Sequence, residues 1–269
     1  LKAAAGVFGE QVEIGEYTIN QKTEQILKDI YRRQPDVVAF SCYIWNRRMV
    51  EELIRELPKV LPGVRLWAGG PEVTYDARAF LEACPKAAGV MRGEGEETFC
   101  RLAAYYIEGE CLLSGIRGLT YRGEDGQIHE TEEREPADMD RLLFALENPE
   151  RFTNRIVYYE SSRGCPFRCS YCLSSVERQV RFRSMELVEK ELLFFLKAQV
   201  PQVKFVDRTF NLDPGRTARL WQWLLEHDNG ITNFHFEIGA DLLTEEELAI
   251  MSRMRPGLIQ LEIGVQSTN

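Results

Sequence analysis

Three cysteines in one short stretch carry the strongest chemical signal in this sequence: Cys165, Cys169 and Cys172, within Ser162-Arg163-Gly164-Cys165-Pro166-Phe167-Arg168-Cys169-Ser170-Tyr171-Cys172. With gaps of three and two residues, the thiols can converge on one inorganic cluster, because a short loop lets each thiolate reach a different iron. A [4Fe–4S] cube takes four ligands, so three cysteines leave one iron open to a bound molecule. Zinc is the competing reading. Structural zinc prefers four ligands in paired Cys-x2-Cys form, and Cys172 is the last cysteine of the chain, so His227 or His235 would have to complete the set. Cys42, Cys84 and Cys100 fall in strand or helix patterns where a free thiol packs as a small apolar group, and they, like Cys111, need no special role.

Two series of elements must position this loop. In the first half, apolar runs at residues 36–43, 64–68 and 88–92 alternate with helical periods at 23–32, 50–57, 77–84 and 99–106, the sequence form of a parallel α/β sheet. Residues 12–19 read as a further strand, and the run at 36–43 as one buried on both faces. Glycines sit directly after two strands, in Gly69-Gly70-Pro71 and Gly93-Glu94-Gly95-Glu96, where they allow close approach of a ligand to the backbone. Tight βα turns need glycine as well, and that reading stays open. Neither motif is Gly-x-Gly-x-x-Gly, so a nicotinamide enzyme is not supported. Residues 116–131 read as a β-hairpin around Asp125-Gly126, and the acidic stretch that follows as a linker.

The second half restarts the alternation, with strands at 155–161, 203–207, 232–238 and 258–265 and helices at 185–198, 214–226 and 245–254. Asp213-Pro214 and Thr244-x-x-Glu247 mark two helix starts. Four such units suit part of a (β/α) barrel, and the cysteine loop follows the first of these strands, on the face where barrel enzymes place their chemistry. One face of the third strand carries His235, Glu237, Gly239 and Asp241; one face of the fourth carries Gln260, Glu262, Gly264 and Gln266. A polar face inside a barrel calls for partners, either a ligand or one another. Ligand contact is expected for Glu237, Gln266 and Glu262. The predicted domains are residues 1–114, a hairpin and linker at 115–150, and the barrel segment at 151–269. The chain begins at Leu1 and stops just after a strand, so it reads as a window from a longer protein with the missing barrel strands beyond residue 269.

Composition narrows the classes further. The chain has 269 residues, 44% hydrophobic and 28% charged, with 33 Lys and Arg against 42 Asp and Glu, a formal net charge of −9. Such a balance argues against a broad nucleic-acid or anionic-membrane footprint. No apolar run approaches the roughly 18–20 residues of a spanning helix, and the first residues lack a signal-peptide pattern. A cytoplasmic protein acting on a small molecule or peptide is expected. Trp45, Trp67, Trp221 and Trp223 read as core or interface residues, with Trp45 set apart by following a strand's C-terminal end.

Cys165-x3-Cys169-x2-Cys172, with an aromatic directly before the last cysteine, resembles the signature of radical S-adenosylmethionine (SAM) enzymes, and the four βα units resemble the first part of their partial barrel. The resemblance implies a [4Fe–4S] cluster on the three cysteines, SAM chelated at the open iron, and an electron donor such as flavodoxin or ferredoxin. It places Tyr171 beside the adenine and assigns Glu237, Gln266 and Ser267 to the ribose and methionyl ends. Asp207, with Arg208, stands where the family often contacts the methionyl amine, although the usual Gly-Gly-Glu is absent. An α/β domain ahead of such a barrel resembles the cobalamin-binding domain of cobalamin-dependent radical SAM proteins. The implied fold is an N-terminal Rossmann-like doubly wound parallel sheet followed by a partial TIM-type barrel. The corinoid would lie across the C-terminal ends of the sheet, near Ser41, Tyr43, Gly69, Gly70, Gly93, Gly95 and Glu96. Asp-x-His-x-x-Gly, which marks a lower axial histidine, is absent, and none of His129, His227 and His235 has that context. Methyl transfer is the commonest chemistry implied, with ring rearrangement or other radical chemistry beside it. The alternatives are a radical SAM enzyme without cobalamin, or a non-catalytic iron–sulfur or zinc module.

Overall fold

Apolar residues at helical spacing and short β-branched runs succeed one another along residues 23–107, and the backbone follows them: α1 (Thr23–Arg33), β1 (Val37–Ser41), α2 (Arg47–Val60), β2 (Arg65–Gly69), α3 (Pro71–Thr74), α4 (Ala77–Ala83), β3 (Gly89–Met91) and α5 (Gly95–Ile107). The computed structural model describes residues 1–109, 111–145 and 155–265, and these divide into two compact units, residues 1–137 and 138–269.

In the first unit β1, β2 and β3 pair in parallel and in sequence order. The hairpin β4 (Leu119–Arg122) and β5 (Ile128–Glu130) then continues the same sheet antiparallel. The sequence reading set this hairpin apart from the sheet; it is the sheet's far edge, because β4 shares the unpaired side of β3 that a three-stranded sheet would leave open. Leu66 and Ala68 join Ile26, Leu53, Ile54, Leu57 and Phe80 on one face, while Trp67 joins Met91, Leu102 and Leu119 on the other. β2 is thus buried on both sides, as expected of a doubly covered parallel strand.

Two expectations require correction. β1 forms one edge of the sheet and is only partly buried: Val38 and Phe40 pack on one face and Val37 on the other, while Ala39 and Ser41 are exposed. Residues 12–19 form no strand, and Ile14 and Ile19 are exposed. Their odd separation would put them on opposite faces of a strand, so no single apolar side exists to be buried.

The second unit is built from β6 (Ile156–Tyr159), the short pair β7 (Ser162–Arg163) and β8 (Arg181–Phe182), α6 (Met185–Lys197), β9 (Gln202–Phe205), α7 (Pro214–Glu226), β10 (Asn233–Ile238), α8 (Glu245–Met251) and β11 (Ile259–Ile263). β6, β9, β10 and β11 form one parallel sheet in sequence order, the arrangement of consecutive barrel strands. Val157, Val203, Phe205, Phe234 and Phe236 pack on Val188, Leu192 and Phe195 of α6 and on Trp221 and Leu224 of α7. The caps read from sequence are formed: the Asp213 carboxylate accepts the Arg216 N–H at 3.0 Å, and Thr244 and Glu247 make a reciprocal capping box. Among the described residues no helix is long and apolar enough to cross a membrane.

One backbone contact fixes the ends of β1 and β2 together. Cys42 donates its N–H to the Gly69 carbonyl at 2.7 Å, and Gly70, at φ +102°, lies so near that a Cβ would stand 2.6 Å from the Cys42 carbonyl oxygen. Gly70→Ala is therefore expected to destabilise the first unit by about 2–4 kcal/mol in denaturant unfolding. Gly93→Ala, at φ +68° but facing open space, should cost about 1 kcal/mol. Equal effects would contradict the close-approach account.

Candidate functional site

The cysteine loop leaves the C-terminal end of β6 and returns through β8 into α6. Its two ends are zipped together, since Ser162 pairs with Phe182, Arg163 with Arg181, and Cys165 donates its N–H to the Glu177 carbonyl at 2.9 Å. Gly164, at φ +100°, makes this closure feasible, because a Cβ there would meet the Gln179 carbonyl oxygen at 2.2 Å. Two ion pairs, Arg163 with Glu160 and Arg181 with Glu177, flank the closed base.

Beyond this base the loop is open. Cys165 is 8% exposed, whereas Cys169, Tyr171 and Cys172 face solvent, and none of the three thiols is in a disulfide. Two successive turns order the far end, with the Cys172 N–H on the Cys169 carbonyl at 3.1 Å and the Ser175 N–H on the Cys172 carbonyl at 3.1 Å. Among the described residues no three His, Cys, Asp or Glu side chains converge as a finished metal site. The donor set nevertheless fits an iron–sulfur cluster: three soft thiols on one loop, two of them exposed. Zinc would need a histidine beside these thiols, and among the described residues neither His227, whose Nδ1 lies on the Trp223 carbonyl of its own helix at 2.9 Å, nor His235, whose Nε2 lies 3.2 Å from the Glu262 carboxylate, is grouped with them.

Below the loop, the sheet face opposite the helices is polar, as the alternation in β10 and β11 predicts. Register places His235 beside Lys204 and Gln260, and Glu237 beside Glu262. Lys204 was not singled out from sequence, yet it organises this face, reaching Glu262 at 2.8 Å and Glu237 at 3.3 Å. Its signal was available in the alternation of Val203, Lys204 and Phe205. The hydrogen bond and charge of Lys204 hold the Glu262 carboxyl below its ordinary range. In this state Glu237 and Glu262 thus have partners of their own, and both remain partly open to solvent. Gln266 and Ser267 lie outside the described residues.

Asp207 departs from expectation. It does not face the open side of the sheet but is 1% exposed, and it accepts the Ser161 N–H at 2.8 Å and the hydroxyls of Ser161 and Ser162 at 2.6 and 2.8 Å. Burial pushes its carboxyl pKa up, against the opposing pull of those hydrogen bonds. Arg208, its neighbour, is exposed.

In the first unit the predicted corinoid residues gather at one edge. Ser41, Gly69 and Met91 stand in register at the C-terminal ends of β1, β2 and β3, and the turns carrying Tyr43, Gly70 and Gly93 follow them. Tyr43 stacks on Trp45 with centroids 4.7 Å apart, Ile44 and Trp45 are 77% and 64% exposed, and Tyr75 in the next turn is exposed. Gly95 and Glu96 open α5, whose first turn is acidic through Glu96 and Glu97. A broad, largely apolar macrocycle fits such an edge of glycine turns and exposed rings, whereas the acidic start of α5 is poorly suited to phosphate.

Comparison with known proteins agrees with this division. Residues 1–103 match the B12 binding domain model and residues 159–269 the radical SAM superfamily model. The chain is 28% identical over 193 residues to the cobalamin-dependent radical SAM methyltransferase TokK of Streptomyces tokunonensis, covering 67% of this chain and 28% of that protein. It is 22% identical over 275 residues to the anaerobic magnesium-protoporphyrin IX monomethyl ester cyclase of Rubrivivax gelatinosus, covering 98% and 49%. Among solved structures, the cobalamin-dependent radical enzyme OxsB with aqua-cobalamin and SAM bound aligns with a TM-score of 0.76 and 22% identity, covering 98% of this chain and 40% of that one. The chain thus spans less than half the length of each of these three proteins.

Replacing Lys204 by Met should let the Glu262 carboxyl rise toward the ordinary Glu value of about 4.3, because removing the cation disfavours the charged form. A side-chain carboxyl NMR titration reads this shift, and an unchanged Glu262 would show that Lys204 does not control the face.

Proposed function

This chain belongs to the radical SAM superfamily, with a B12-binding domain ahead of its barrel segment, and we propose that it cleaves SAM reductively and uses cobalamin as a methyl carrier. The observation that carries the reading is the closed-base loop presenting three free thiols at the C-terminal end of the first strand of a parallel barrel sheet. When bound, the two cofactors supply an electron to the sulfonium bond of SAM and a transferable methyl group.

The chain's own residues bind and orient. Cys165, Cys169 and Cys172 would hold the cluster, leaving one coordination position for the amino and carboxylate groups of SAM. Tyr171, at the exposed tip, would cover the adenine. Glu237 and Glu262 face the inner side of the sheet, where exchanging Lys204 for ligand hydroxyls or the ligand's ammonium would orient the nucleoside and methionyl ends. Gln266 and Ser267 are proposed to extend this contact, whereas Asp207 supports the loop from beneath. In the first unit, Ser41, Tyr43, Gly69, Gly70, Gly93, Gly95 and Glu96 are the proposed corinoid contacts. The likeness to the cyclase across nearly the whole chain supports a second chemistry, ring closure without methyl transfer. Either chemistry would take a small-molecule or peptide substrate and electrons from a flavodoxin- or ferredoxin-type donor, and a cytoplasmic location is proposed with it.

Anaerobic reconstitution of the full-length protein with iron and sulfide should load about four of each per chain, as a [4Fe–4S] cluster requires. Cys165→Ala, Cys169→Ala and Cys172→Ala should each abolish stable loading, and added hydroxocobalamin should co-elute with the wild type. Stoichiometric zinc in place of iron would overturn the reading.

A further inference from the structure

The three cysteines differ in exposure, Cys165 being buried and Cys169 and Cys172 exposed, and the strand end that leads to Cys165 is bonded to a single buried carboxylate. Asp207 follows β9, has almost no exposure, and takes every one of its side-chain hydrogen bonds from Ser161 and Ser162, the last residues before the loop. The other side of Ser161 is fixed too, since its carbonyl accepts the Arg183 N–H at 2.9 Å and an Arg216 guanidinium N–H at 3.4 Å. Arg216 lies 5.1 Å over the Phe182 ring, and Phe182 pairs with Ser162. Arg183 is in turn bonded to Glu191 of α6, both buried, with the Tyr159 hydroxyl on the same carboxylate at 2.7 Å. From Ser161 to Cys165 the backbone is therefore tied at nearly every residue, ending in the Cys165 N–H bond to Glu177.

Four residues later the ties become local. Cys169 and Cys172 are exposed, and their backbone bonds stay within the tip: the Cys172 N–H on the Cys169 carbonyl at 3.1 Å, and the Cys172 carbonyl accepting the Ser175 N–H and hydroxyl at 3.1 and 2.7 Å. A buried carboxylate accepting three hydrogen bonds is worth more as a constraint on position than as net stability, because desolvating the charge offsets much of the gain.

On the reading that the three cysteines bind a cluster, we infer that Asp207 is the positioning residue of that loop: through Ser161 and Ser162 it presets Cys165 before any cluster is present, and leaves Cys169 and Cys172 to close on it. This role differs from a SAM contact, because the carboxylate faces the protein and is already satisfied there.

Thiol alkylation of the full-length protein, kept iron-free and reduced, reads the inference directly. Iodoacetamide labelling followed by mass spectrometry should find Cys165 about tenfold or more slower than Cys169 and Cys172, as expected when labelling requires local opening. Asp207→Asn keeps the shape but removes one acceptor and the charge. It should speed Cys165 about tenfold while Cys169 and Cys172 change little, the scale of one lost charged hydrogen bond. Should that variant fail to fold, Ser161→Ala and Ser162→Ala are compared in its place and should give a smaller rise confined to Cys165. Cys165 labelling as fast as the others in the wild type, or staying protected in folded variants, would overturn the inference. Iron uptake is measured on the same samples: a wild type with protected Cys165 that assembles no cluster would remove the purpose assigned to Asp207, and would do so through failure of the functional reading and not of the clamp.

Discussion

A carboxylate shut away from water, Asp207, receives three hydrogen bonds from the turn that joins a barrel strand to the cysteine loop. Much of the second unit can be understood as the means of keeping it there. The strand before it, β9, lies in the middle of a parallel sheet, with Val203 and Phe205 buried against the helices and Lys204 facing the opposite way. Period-two alternation therefore gives one sheet two functions, a packed side that sets distances and a polar side that meets a ligand. The loop is held at the strand ends, where neither side's packing would otherwise reach it.

How much of this could be read beforehand depended on whether the information was local. Helix starts at Pro214 and Glu245 are set by residues within a turn of them, and both caps appear as written in the sequence. The cysteine spacing and the polar alternation of His235, Glu237, Gln260 and Glu262 are local as well. Non-local facts were harder. That β1 ends as an edge strand depends on what pairs with it. Asp207 looked like a ligand residue because it follows a strand; only the approach of Ser161, from a strand far away in sequence, shows that its oxygens point into the protein. Lys204 gains its meaning from Glu237 and Glu262, which only the pairing of β9, β10 and β11 brings to it.

The two units offer the two proposed cofactors different kinds of site. In the barrel unit the proposed donors are three thiols on one loop, Cys165 buried and Cys169 and Cys172 exposed, so the site would be partly built before the metal arrives. In the first unit the proposed site is an edge: strand ends in register, glycine turns, and exposed rings at Tyr43 and Trp45. Such an edge suits a large flat ligand and places few demands on individual side chains. This explains why the family resemblance there was carried by element order and glycines more than by a sharp motif.

If three cysteines hold a cluster with one iron free for SAM, electron paramagnetic resonance of the reduced, reconstituted full-length protein, recorded without and with SAM, will show it. A cluster signal whose shape changes when SAM is added is expected, as the open iron gains the amino and carboxylate ligands. A cluster signal indifferent to SAM would contradict it, and would leave an iron–sulfur protein whose cluster has no vacant position for the substrate.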